Sequence, residues 1–276
     1  MTWRLKVKHT TSFQYESEVS ASFNEARMTP MNSSNQLLLQ SNFSVSPLAS
    51  VFEYQDYFGT QVKSFDVQAP HIGLTIESES TVDVDQIAET TLRCTWNELE
   101  EDGFKDRFDE YLKMTPLVNT FENDLELRNL SNPYEAVLFL NERISKRISY
   151  SPGATNVYTP ASEAWAKGAG VCQDFTHTSI SILRTLGIPA RYVSGYLYTG
   201  SGQIGETVIG ESHSWVDVWI GDWYQFDPTN GRVVGTDHVI VAKGRDYHDV
   251  TPLKGIFSGG RSRKTDVVVS LTRLER

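Results

Sequence analysis

Cysteine is scarce in this chain: 276 residues carry only Cys94 and Cys172. That count fits free thiols in a reducing compartment better than a single disulfide. Basic charge is also short, since 25 Lys and Arg against 35 Asp and Glu leave a net charge of −10. A phosphate-backbone partner selects clustered Lys and Arg. Here the basic clusters, Lys146-Arg147 and Arg261-Ser262-Arg263-Lys264, are short enough to be solvated surface. No apolar run approaches the roughly 20 residues that cross a bilayer. Met1 to His9 alternates polar and apolar residues like a strand, without the charged and apolar zones of a secretory signal. Repeats and low-complexity tracts are missing as well. These absences predict a cytoplasmic protein with no nucleic-acid and no membrane partner. Nothing in the sequence specifies an oligomeric state.

What is present is ample core material, 39% hydrophobic residues with six tryptophans, enough for one large domain or two ordinary ones. Residues 1 to about 100 contain short segments rich in Val, Ile, Thr, Phe and Tyr, separated by turn signals such as Phe58-Gly59-Thr60. This pattern predicts an N-terminal β-sandwich. The acidic stretch Asn97–Gly103 reads as a linker, giving domains 1–100 and 101–276. Short helices are expected over 104–112 and 117–123. Ser131-Asn132-Pro133 announces a longer one, along which Val137, Leu140, Ile144 and Ile148 form an apolar stripe. Another helix is predicted from Cys172 to Leu186, closed by Gly187 and Pro189, with Phe175, Ser179, Ile182 and Leu183 on its core face. Strands make up most of the remainder, so the fold class is α+β.

Cys172 follows Gly168-Ala169-Gly170-Val171 and opens that helix. Unpaired amides and the positive end of the helix dipole stabilise a thiolate at such a place, and the Cys172 amide is a candidate oxyanion donor. Cys94, in strand-like Thr-Thr-Leu-Arg-Cys-Thr-Trp, reads as a small buried hydrophobe. His213 begins an alternating strand in which His213, Trp215, Asp217 and Trp219 share one face and Val216, Val218 and Ile220 the other. The valine face is expected in the core, which leaves the histidine face toward a cleft. Two aspartates compete to orient the imidazole. Asp217 lies four residues along the strand, about 13 Å away, beyond hydrogen-bond reach. Asp227 comes close only if its strand folds back alongside. A plain two-residue turn at Gly221-Asp222 would put it on the wrong face, so Asp227 requires a loop of odd length or a β-bulge. Nucleophile, base and orienting acid are the parts of covalent acyl chemistry. Scattered histidines and a lone motif cysteine do not make a closed zinc site, so no metal and no cofactor are expected.

Four ordered motifs, Gly168-Ala-Gly-Val-Cys-Gln-Asp-Phe-Thr-His177, Gly187–Tyr196, His213-Ser-Trp-Val-Asp-Val-Trp219 and Phe226-Asp-Pro-Thr-Asn230, resemble the core of the transglutaminase-like superfamily, in particular its cysteine-protease-like microbial members. Tyr15–Val19, Phe23–Arg27, Pro30 and Asp56–Gly59 resemble the β-rich domain that precedes such cores in bacteria. The resemblance implies a papain-like core with catalytic Cys172, His213 and Asp227. It also makes Asp174, Trp215 and Asn230 motif residues that brace the site. Asp174 is equally open to a bland role as a first-turn charge favouring the dipole. His177 is expected to be structural. Tyr150 and Trp165 are aromatic candidates for a groove wall, though aromatics usually serve the core. Gly200–Gly205 reads as a flexible connector. The expected substrate is a peptide or protein amide, hydrolysed or transamidated. Rival readings are a small-molecule acyl transferase of the same superfamily and a peptide-binding module.

Overall fold

In a computed structural model, the structure describes residues 1–87, 91–210 and 212–275. The first strand, β1 (Thr2–Ala26), is 25 residues long. Leu5, Val7, His9 and Thr11 are buried on one face, as a period of two requires. β2 (Gln36–Ser46), β3 (Val51–Gln55), β4 (Gln61–Val67) and β5 (His71–Asp85) follow. β5 runs antiparallel to the first half of β1 and β4 to its second half, with a register shift between Gln14 and Val19. That shift lets one sheet curl, and Tyr15, Val19, Met28, Phe65, Leu74 and Ile76 fill the inside of the curl. The expected β-rich half thus takes the form of a sheet, eight-stranded among the described residues, that curls on itself.

The segment expected to be a linker contains a 3₁₀ turn at Glu98–Glu100. Short helices α1 (Asp102–Arg107) and α2 (Asp109–Leu112) come next, and residues 117–123 form no helix. In α3 (Pro133–Arg147), the Asn132 side chain accepts from the Glu135 amide, and Val137, Leu140 and Ile144 are buried. β6 (Ser149–Tyr150) pairs in parallel with β7 (Ala169–Gly170), and α4 (Ala161–Lys167) lies between them in sequence. α5 (Cys172–Thr185) is buried from Gln173 to Arg184. Its apolar stripe therefore has no solvent-facing counterpart, because other elements enclose the helix all round.

The second sheet holds β8 (Ala190–Leu197), β10 (Ser212–Trp219), β11 (Trp223–Asp227), β12 (Arg232–Val233) and β13 (His238–Gly244) in the order β12-β11-β10-β8-β13, all antiparallel. Before β10, β9 (Thr207–Gly210) pairs with a strand of the first sheet, so one residue separates a strand of each sheet. After α6 (Tyr247–Val250), β14 (Leu253–Gly259) and β15 (Ser262–Leu274) run antiparallel to β1. The chain thus returns to the first sheet to cover the open edge of β1. The larger core is continuous across the sequence boundary near residue 100. It joins Leu5, Val84 and Leu271 of the first sheet to Leu140, Phe175 and Val216 beyond it.

Candidate active site

Cys172 is the first residue of α5 and is partly exposed. The turn before it is held by Asp174, whose Oδ2 accepts from the Val171 amide at 2.7 Å and from Thr155 Oγ1 at 2.6 Å. A Cβ at Gly170 would meet that carboxylate at 2.5 Å, so only glycine permits this approach. Burial raises the pKa of Asp174, against those hydrogen bonds. Thr176 Oγ1 donates to the Cys172 carbonyl at 2.9 Å and lies 3.1 Å from Ser214 Oγ, which ties the start of α5 to β10.

His213 lies one residue inside β10, with 10% of its side chain exposed. Trp219 pairs with Trp223, so β10 and β11 are joined by the three residues Ile220, Gly221 and Asp222. Gly221 takes a φ of 110°, open to glycine and strained for other residues. The loop has the odd length the parity argument requires, and the register puts Asp227 level with Trp215, on the face of His213. His213 Nε2 is 2.8 Å from Asp227 Oδ2, and Cys172 lies near enough to the imidazole to favour its protonated form. With Nε2 engaged by the acid, Nδ1 is the nitrogen left for the sulfur.

Asp227 is fully buried and fully satisfied. Its Oδ1 accepts from the Thr229 and Asn230 amides at 3.0 and 3.2 Å, and its Oδ2 from Asn230 Nδ2 at 2.7 Å. Burial opposes its charge, but the hydrogen bonds from His213, His238 and Asn230 hold its pKa far below the ordinary carboxylate range. Burial likewise disfavours a charged His213, yet hydrogen bonds to Asp227 and Cys172 and their charges raise its pKa to about 9. An imidazolium at neutral pH is the counter-ion that a thiolate needs.

Trp215 is fully buried, donates from Nε1 to Gln225 Oε1 at 3.0 Å, and lies 6.1 Å from the His213 ring. The histidine face of β10 is not an open cleft beyond His213. Trp215 packs with Val193, Val234, Ile240, Met31 and Ile87, because the chain after β1 covers this face while α5 covers the valine face. Asp217 is buried there, 2.8 Å from Arg191 and 2.9 Å from Lys243, in a structural ion cluster. His177 is fully buried, and its Nε2 accepts from the Tyr247 amide at 3.2 Å. Cys94 is buried, and burial pushes its thiol up to about 11.

A cavity of about 310 Å³ opens beside His213, walled by Tyr150, Thr199, Ser212, Thr229 and Asn230. Tyr150 thus lines the site, whereas Trp165 lines a separate cavity of about 470 Å³ with Phe139 and Arg147. The connector over 200–205 is braced: Glu206 accepts from Tyr198, Ser201 and the Gly202 amide, with distances of 2.8, 2.7 and 3.1 Å. Sequence reasoning missed three residues. Tyr192 and Tyr247 have phenol pKa values raised by burial and by the charge of nearby Cys172. The third, His238, has Nε2 at 3.3 Å from Asp227 Oδ2. Its one signal was the Asp237-His238 doublet at the start of a strand. The metal-ligating atoms of His213, Asp227 and His238 lie within 4.8 Å of one another. Hydrogen bonds among them already satisfy these groups.

A cysteine at a helix start, beside an imidazole carried by an antiparallel sheet, is set in a fold whose family the comparisons identify. The chain belongs to the transglutaminase-like superfamily. The profile "Transglutaminase-like superfamily" matches residues 124–228, and "Bacterial transglutaminase-like N-terminal region" matches residues 5–83. An uncharacterised protein of Mycobacterium leprae (strain TN) is 42% identical over 277 residues, 99% of each chain. Another, from Mycobacterium tuberculosis (strain ATCC 25618 / H37Rv), is 31% identical over 304 residues, covering 99% of this chain and 94% of its own. Among solved structures, "a Putative Cysteine Protease from Cytophaga hutchinsonii" is similar, with a TM-score of 0.76 and 22% identity over 100% of this chain and 94% of that one. This last likeness is one of fold. No helix among the described residues is long and apolar enough to cross a membrane.

Proposed function

We propose that this protein performs thiol-dependent acyl transfer on amides, with hydrolysis of a peptide bond or a glutamine side chain as the main outcome. Cys172 is the nucleophile, His213 the base and Asp227 the acid that orients it. The observation that carries this reading is the imidazole of His213, 2.8 Å from the Asp227 carboxylate and close enough to Cys172 for the two to influence each other's charge. The thiolate attacks the amide carbonyl, and amides at the start of α5 receive the oxyanion. His213 then protonates the leaving amine, and a thioester remains on Cys172. Water releases the acid, while an amine in its place gives transamidation. The chain itself supplies nucleophile, base and orienting acid. The two free thiols suit a cytoplasmic setting.

The test is to incubate wild type and Cys172→Ala with a peptide library and a primary-amine probe, and to identify products by mass spectrometry. Cleaved or deamidated peptides with wild type alone support hydrolysis. Probe-labelled glutamines support cross-linking. Peptide binding that survives the substitution, without turnover by wild type, would sink the enzyme reading in favour of a binding module. Acylation of arylamines from a small donor, with peptides untouched, would point to a small-molecule acyl transferase.

A further inference from the structure

His238 stands behind the acid of the site, on a strand that none of the proposed chemistry uses. Its Nε2 is 3.3 Å from Asp227 Oδ2 and its Nδ1 is 2.8 Å from Asp237 Oδ1. Asp237 in turn accepts from Arg232 at 2.5 Å. The imidazole is fully buried, as is Asp227. Each ring nitrogen therefore faces a carboxylate oxygen. The Gly235 amide donates to Nδ1 at 3.3 Å, and a ring proton on Nε2 is what Asp227 accepts.

We propose that His238 is a positioning residue for the thiol site: its imidazole, held from behind by Asp237 and Arg232, fixes the carboxylate of Asp227 against His213. The ring also lies 5.1 Å from the edge of Trp215 and 6.2 Å from the His213 ring. The low pKa of Asp237, about 2, agrees with its hydrogen bonds from His238 and Arg232, which outweigh burial. This inference rests on the reading of Cys172 as the nucleophile.

The experiment measures alkylation of Cys172 by iodoacetamide across pH, by peptide mass spectrometry, in wild type, His238→Leu, His238→Gln and Asp237→Asn, with melting midpoints alongside. His238→Leu removes the donor to Asp227, and should slow alkylation at pH 7 by about tenfold or more. His238→Gln keeps an N–H for Asp227 and should recover most of the rate. An unchanged rate in His238→Leu would overturn the proposal, as would a loss that follows melting temperature alone with no rescue by glutamine. Should His238→Leu fail to fold, Asp237→Asn decides: a loss on the order of threefold supports the clamp and an unchanged rate refutes it. Failure of the thiol reading looks different, because wild-type Cys172 would then react no faster than glutathione.

Discussion

The carboxylate of Asp227 sets the behaviour of His213. Its hydrogen bond and charge help hold the imidazole at about 9, so Asp227→Asn should let His213 lose its proton at lower pH. We expect the alkaline limb of Cys172 alkylation to fall by roughly one unit or more. Because the folded pKa is raised, the stability contributed by protonated His213 is complete below the ordinary histidine value of 6.5 and is lost as pH rises through about 9. Denaturant midpoints of wild type should decline across that window, and those of Asp227→Asn should decline less. Gly170 offers a second residue-scale test. A methyl there meets Asp174 at 2.5–2.7 Å, so Gly170→Ala should cost about 1–3 kcal/mol and displace the sulfur. Urea unfolding and the alkylation rate read the two effects separately.

Elements carry information that single residues do not. The three-residue loop between β10 and β11 decides which face Asp227 occupies. Deleting Asp222 should return the hairpin to even parity and turn the carboxylate from the imidazole. The expected outcome is a chain that still folds, by circular dichroism, with Cys172 alkylation slowed to the rate of Asp227→Asn. Parity was legible in the sequence, because strand alternation and one required contact leave few solutions. α3 and α5 were legible for local reasons, a proline at the start of one, a glycine and proline after the end of the other, and apolar spacings of three and four. Partners distant in sequence were not. Residues 10–26 continue β1 although Tyr15-Glu16-Ser17-Glu18 has no clear strand pattern, since β14 and β15 supply the pairing from the far end of the chain. His238 went unread because its role depends on β13 lying beside β8 and within reach of the end of β11. No local pattern encodes that.

At the scale of the whole molecule, the two sheets meet around a buried histidine. His9 of β1 has Nδ1 at 2.8 Å from the Tyr196 hydroxyl of β8, and burial lowers its pKa to about 4. His177 within α5 is lowered to about 3, also chiefly by burial. With folded values depressed, the stability these neutral rings contribute is present above the ordinary histidine value of 6.5 and is lost as pH falls toward 4. The melting midpoint should therefore drop between pH 7 and 4, and His9→Gln should blunt the drop. Sheet pairing makes a further claim. A fragment of residues 1–100 lacks β14 and β15, so β1 would present an open edge. That fragment should aggregate on gel filtration where the full chain elutes as a discrete species.

The passage from β9 to β10 has a mechanical meaning. Gly210 is bonded into the first sheet opposite Val269, and Ser212 into the second opposite Tyr196. His213 therefore lies three residues along the chain from a strand of the first sheet, and the placement of that sheet bears on where the imidazole sits.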